Sequence, residues 1–155
     1  MHVRTFTWVP FILEWIGCLY SGFVVNVLNK ILLVMAGGSL GALCRYGFSL
    51  AALRWLGSRF PWGTLLANLT GCFFIGIAFA LAGRSFVFSP SARLFFMTGF
   101  LGGLTTFSTY ALESVVYMRA GSQVAVLNFL INNIGGGILV LAGMWLGGWV
   151  IRTGG

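Results

Sequence analysis

Charge is what this sequence has least of. Asp, Glu, Lys and Arg make up 7% of its 155 residues, and only two of them are acids, Glu14 and Glu113. So few charges cannot cover the surface of a water-soluble globule, which excludes that class. Histidine occurs once, as His2, so no histidine-based site is available. The three cysteines, Cys18, Cys44 and Cys72, are odd in number, lie within apolar segments and share no CxxC-type spacing. They read as small buried hydrophobes, not as a disulfide framework or a metal site. The basic residues give a net charge of +7, which at first suggests nucleic acid. They are scattered singly between apolar segments instead of gathering on one face, so no nucleic-acid partner is expected. Lys and Arg at segment ends fit membrane anchoring and topology instead.

What is present is apolar: 59% of the residues are hydrophobic. A membrane span takes about 20 apolar residues, so a chain of this length has room for four or five crossings and no extramembrane domain. The pattern predicts four spans, over residues 31–53, 63–82, 92–118 and 124–151. Phe60-Pro61-Trp62 and Ser89-Pro90-Ser91 punctuate two of the turns, and proline is acceptable at a helix entry. Short connections make neighbouring helices antiparallel. Residues 1–29 form an apolar extension that contains Pro10, Glu14 and Asn26. A fifth helix, an interfacial helix, an uncleaved signal-like segment and a mis-assigned start all fit it, whereas Val25-Asn26-Val27 is a poor cleavage site. We read it as an addition that the core, residues 30–152, does not need.

Lys30, Arg84, Arg93 and Arg152 fall on one side of such a bundle, and Arg54, Arg59 and Arg119 on the other. Orientation follows an excess of Lys and Arg in cytoplasmic loops, and this split gives almost none. Insertion both ways, and with it an antiparallel dimer, fits the balance. A single orientation set by Arg4 and the extension fits it too. Gly37 and Gly41, with Arg45 a turn further along, open a small-xxx-small series. Ala67 and Gly71, Gly76 and Ala80, and Gly143 and Gly147 continue it. Small residues at this spacing let helices approach closely in lipid. They indicate a bundle, not a function.

The third span breaks the rules of its neighbourhood. Gly99-Phe100-Leu101-Gly102-Gly103-Leu104-Thr105-Thr106-Phe107-Ser108-Thr109-Tyr110 puts adjacent glycines and then adjacent threonines at mid-membrane. Glycine costs a helix roughly 1 kcal/mol relative to alanine. Non-helical backbone at this depth is tolerated only where it is buried in protein or lines a wet cavity. The segment is therefore expected to unwind and offer its carbonyls to something that binds them, since broken helices at the midplane mark ion and substrate sites. Phe107 and Tyr110 place two rings on one side of the helix that resumes. Both suit a core, and both suit an anion's route, because an aromatic edge is electropositive.

Each remaining polar residue in a span needs a partner or a task. Asn68, with Thr64 a turn before it, fits an interhelical hydrogen bond or the donation of amide protons to an anion. Asn128 and Asn132, four apart, share a face and could line a polar path, while Asn133 points elsewhere. Arg45 can snorkel or lend a vestibule positive charge. Glu113 can pair with an arginine such as Arg45 or set charge at a pore mouth.

Three motifs together resemble the Fluc/CrcB family of small bacterial fluoride channels. They are Gly37-Gly38-Ser39-Leu40-Gly41-Ala42-Leu43-Cys44-Arg45-Tyr46, Gly63-Thr64-Leu65-Leu66-Ala67-Asn68-Leu69-Thr70-Gly71, and the 99–110 stretch with Glu113 after it. The resemblance covers about residues 30–152. It implies an all-α membrane protein, a four-transmembrane-helix bundle with a broken third helix, assembled as an antiparallel, dual-topology homodimer. It further implies two pores and a central structural sodium ion held by the backbone carbonyls of Gly102 and Thr105 from both subunits. By the same resemblance Asn68 donates to fluoride, Phe107 and Tyr110 form an aromatic box, and Ser108 and Thr109 are polar positions near the path. Tyr110 stands where phenylalanine is common. Asn128 and Asn132 occupy a region where the family offers hydroxyls. The implied setting is the bacterial plasma (inner) membrane, and the implied activity is passive export of fluoride. No nucleotide-binding motif, catalytic dyad or proton-relay carboxylate chain occurs in the pore helices, which agrees with a channel and not an enzyme. The main rival, a small dual-topology proton-coupled exporter of organic cations, needs a buried carboxylate. It has only Glu14 to offer and leaves the broken helix unexplained. A non-transporting subunit of a larger complex is a third alternative.

Overall fold

The computed structural model describes residues 27–83 and 88–153, and they are helical throughout apart from short connections. The extension before residue 27, with Glu14, and Arg84 lie outside the described residues. We label the helices α1 (Val27–Leu56), α2 (Trp62–Ala82), α3 (residues 90–104), α4 (Phe107–Arg119) and α5 (Val124–Thr153). Three of them, α1, α2 and α5, are long and apolar enough to cross a membrane. The shortest, α2, has 21 residues, which is about 32 Å at 1.5 Å per residue.

Local chemistry explains the ends. Gly57 follows α1 with φ +77°, a left-handed conformation that glycine adopts without a Cβ clash. Ser89 caps α3, its Oγ accepting from the Ala92 N–H at 3.2 Å, with Pro90 in the first turn. Arg93 donates to the carbonyl of Ala82, so a side chain of α3 satisfies the open end of α2. Two stretches are wound wider than an α-helix, Leu94–Leu101 in α3 and Ile131–Gly135 in α5.

The bundle packs in two pairs: α1 lies along α3, and α2 along the second half of α5. Glycine sets both approaches. A Cβ on Gly37 would overlap the Phe95 carbonyl, and one on Gly41 the Phe100 carbonyl. Between α2 and α5, Gly76 meets Val140 and Gly143 meets Phe73 in the same way. Dispersion between backbones at this range, not water exclusion, holds helices together in lipid. The centre is Ala67, Leu101 and Leu104, with Phe48, Ile75, Phe96 and Phe100 packed around them. Large apolar side chains such as Leu43, Trp55, Leu141 and Trp145 cover the outside of α1 and α5. Such a surface suits lipid, and the chain is a multi-pass α-helical membrane protein.

Candidate functional site

Between α3 and α4 the backbone leaves helical geometry for two residues. Thr105 has φ −81° and ψ 155°, and Thr106 has φ −150° and ψ 115°. Side chains hold it there by taking amide protons that a continuous helix would use. The Thr106 N–H donates to Asn68 Oδ1 at 2.8 Å and not to the Gly102 carbonyl four residues back. The Thr109 N–H donates to Thr106 Oγ1 at 3.3 Å and not to the Thr105 carbonyl. The carbonyls of Gly102 and Thr105 therefore lose their ordinary helical partners. Asn68 completes the clamp by donating from Nδ2 to the Thr106 carbonyl at 3.3 Å. Gly71, one turn along α2, makes the approach feasible, since a Cβ there would overlap the Thr105 methyl group.

A cavity of about 400 Å³ adjoins this interruption. Asn68, Thr105, Thr106, Phe107, Tyr110 and Asn132 line it among others, as does Gly102. Phe107 is 78% exposed, whereas Tyr110 is 6% exposed. Their rings meet edge to face with centroids 5.7 Å apart. An edge-on ring offers its positive rim to whatever lies beside it. A chain of amides runs away from the cavity. Asn68 Nδ2 donates to Asn132 Oδ1 (3.0 Å), Asn132 Nδ2 to Asn128 Oδ1 (2.8 Å), and Asn128 Nδ2 to Ser114 Oγ (3.0 Å).

Some candidate residues lie elsewhere. Ser108 and Thr109 are exposed and meet Thr106 Oγ1 instead of lining the cavity. Asn128 is fully buried and reaches the cavity only through Asn132. Arg45 is half-buried on α1 and lines neither this cavity nor the next. Glu113 belongs to a second cavity of about 300 Å³, which Ser49, Trp62, Thr64 and Tyr117 also line. Its Oε1 accepts from Thr64 Oγ1 at 2.7 Å, and its Oε2 is buried with no hydrogen-bond partner among the described residues.

Three participants were missed in the sequence. Thr106 is the pivot, although its place as a helix-capping threonine before a new helix was a usable signal. Ser114 gave no signal at all. The spacing of Asn133 points it away from the face of Asn128 and Asn132, yet its Nδ2 donates to the Tyr110 hydroxyl oxygen at 2.7 Å. The reason is the wide turn over Ile131–Gly135: i→i+5 winding brings residue 133 round towards residue 128.

The chain is similar in sequence to known proteins. Residues 32–144 match the family model described as CrcB-like protein, Camphor Resistance (CrcB). A fluoride-specific ion channel of Salinibacter ruber is 51% identical over 74% of this chain and 86% of its own length. One from Shewanella halifaxensis is 47% identical over 68% of this chain and 85% of its own. One from Chloroflexus aurantiacus is 37% identical over 79% and 98%. The apolar helices and these relatives together define a small membrane protein of a family whose named members are channels, not enzymes. The chain belongs to the CrcB-like family.

Proposed function

We propose that this protein is a fluoride-selective channel that lets fluoride leave the cytoplasm passively across the bacterial inner membrane. The observation that carries the proposal is the interrupted backbone at Thr105 and Thr106, opening onto a cavity lined by Asn68, Phe107 and Tyr110, in a chain similar to named fluoride channels. Residues 90–119 act as a fourth, broken crossing. Two copies assemble antiparallel, which the near-even split of basic residues favours, and form two pores. Hydrofluoric acid enters cells from acidic surroundings and dissociates in a neutral cytoplasm. The membrane potential then drives the anion out with no other energy source.

A structural sodium ion at the centre of the dimer accounts for the carbonyls of Gly102 and Thr105, whose helical partners are diverted. Carbonyl oxygen is a hard ligand suited to a hard cation. When bound, the ion would supply fixed positive charge that makes a dry interior less hostile to an anion.

The test is fluoride efflux from liposomes containing the purified protein, with valinomycin dissipating the potential and chloride efflux measured in parallel. Fluoride loss without chloride loss, abolished by Phe107→Ile, is expected. Phe107 is largely exposed in the protomer, so this substitution is expected to leave the protomer's fold intact, which its unfolding midpoint checks. A folded protein that passes no fluoride refutes the proposal.

A further inference from the structure

Nearly all side-chain donors around the first cavity are already committed. An amide has two N–H donors. Asn68 uses both, on the Thr106 carbonyl (3.3 Å) and Asn132 Oδ1 (3.0 Å). Asn132 uses both on Asn128, at its carbonyl (3.0 Å) and its Oδ1 (2.8 Å). Asn133 uses both, on the Tyr110 hydroxyl oxygen (2.7 Å) and the Phe129 carbonyl (2.7 Å). The Thr105 hydroxyl closes on the Leu101 carbonyl at 3.0 Å, and that of Thr106 on Thr109 Oγ1 at 3.0 Å. Cys72 also lines the cavity, but a thiol is a weak donor.

The Tyr110 hydroxyl stands apart. It accepts from Asn133, and among the described residues its own proton has no acceptor. The side chain is buried and lines the cavity. A phenolic O–H lies near the ring plane, so a donor seated on one side of the oxygen turns the proton to the other. Asn133 lines the same cavity; by donating to the Tyr110 oxygen it leaves this hydroxyl to meet an ion only as a donor, and both of its own N–H groups are used.

We propose that Asn133 is a positioning residue that makes the Tyr110 hydroxyl a one-way donor towards the cavity, and that an entering anion meets this donor without displacing any bond within the protein. An anion approaching Asn68 or Asn132 must first break an amide bond. At Tyr110 it need not. A phenol donates more strongly than an aliphatic alcohol, which favours fluoride, a small and strong acceptor, over chloride. This inference rests on the fluoride-channel reading of the same site.

The experiment compares fluoride efflux at low fluoride from liposomes holding the wild type, Tyr110→Phe, Asn133→Leu and the double variant, with chloride efflux alongside. Each single variant is expected to slow fluoride efflux roughly tenfold, the size of one hydrogen bond to an ion. The double variant should be no slower than Tyr110→Phe, because Asn133 then has no hydroxyl to direct. A double variant slowed by the product of the two single effects gives Asn133 a merely structural role and overturns the proposal. A Tyr110→Phe channel at the wild-type rate overturns it as well and leaves the channel reading standing. A wild type without fluoride flux overturns both.

Discussion

Asn68 holds the interruption open, and replacing it by alanine should close it. Asn68→Ala removes the acceptor for the Thr106 N–H at 2.8 Å, the donor to the Thr106 carbonyl at 3.3 Å and the donor to Asn132 Oδ1 at 3.0 Å. Each such bond contributes about 1 kcal/mol net, so the loss is about 3 kcal/mol. The freed Thr106 N–H can turn back to the Gly102 carbonyl as in a continuous helix, which returns about 1 kcal/mol and leaves a net cost of about 2 kcal/mol. For a chain of this size that is roughly a 5 °C fall in the unfolding midpoint in detergent. The larger effect is on transport, because the closed backbone withdraws the Gly102 carbonyl and shifts Phe107 and Tyr110. Fluoride efflux should fall well over tenfold. Asn68→Asp separates backbone closure from the other losses. It retains the Oδ1 acceptor for the Thr106 N–H, so the interruption should stay open. It also sets an oxygen where Nδ2 donated to the Thr106 carbonyl and Asn132 Oδ1, so stability should fall at least as far as in Asn68→Ala, and a carboxylate beside the cavity repels the anion, so flux is still lost. An Asn68→Ala protein that melts and conducts like the wild type would refute the claim that this amide sets the backbone.

Two further outcomes follow from the packing and from the freed carbonyls. Gly41→Ala drives a Cβ into the Phe100 carbonyl and should destabilise the protein by about 1–3 kcal/mol through overpacking. Gly137→Ala has open space around it and should be neutral or stabilising by up to about 1 kcal/mol. Equal unfolding midpoints for the two would show that the α1–α3 approach is looser than described. Replacing sodium by potassium in every buffer should lower the unfolding midpoint and stop fluoride efflux, with both restored when sodium returns. An ion present at 100 times its Kd stabilises by about 2.7 kcal/mol, so an unchanged midpoint and flux would remove sodium from the account.

Membership of the CrcB-like family and the all-helical membrane character were legible in the sequence, because both rest on features one-dimensional patterns carry. These are apolar runs of membrane length and short motifs in a fixed order. The helix ends were legible to within a few residues for the same reason, although α1 is already helical at Val27, ahead of residue 31. The direction of Asn133 was not legible. A spacing argument assumes about 100° per residue, and the wide turn over Ile131–Gly135 does not keep to it.

The use of each polar group was not legible either, and the reason is general. A sequence displays which side chains can donate and accept, but not which are already engaged. Asn68, Asn132 and Asn133 look like three pairs of donors on offer to an anion, yet in the folded chain every one of those N–H groups ends on a protein oxygen. Tyr110 looks like the least polar of the four, and it alone keeps a proton uncommitted. In a membrane interior an uncommitted donor is costly unless something completes it. The inventory of spent and unspent hydrogen bonds, more than the inventory of polar residues, therefore points to where an ion would rest.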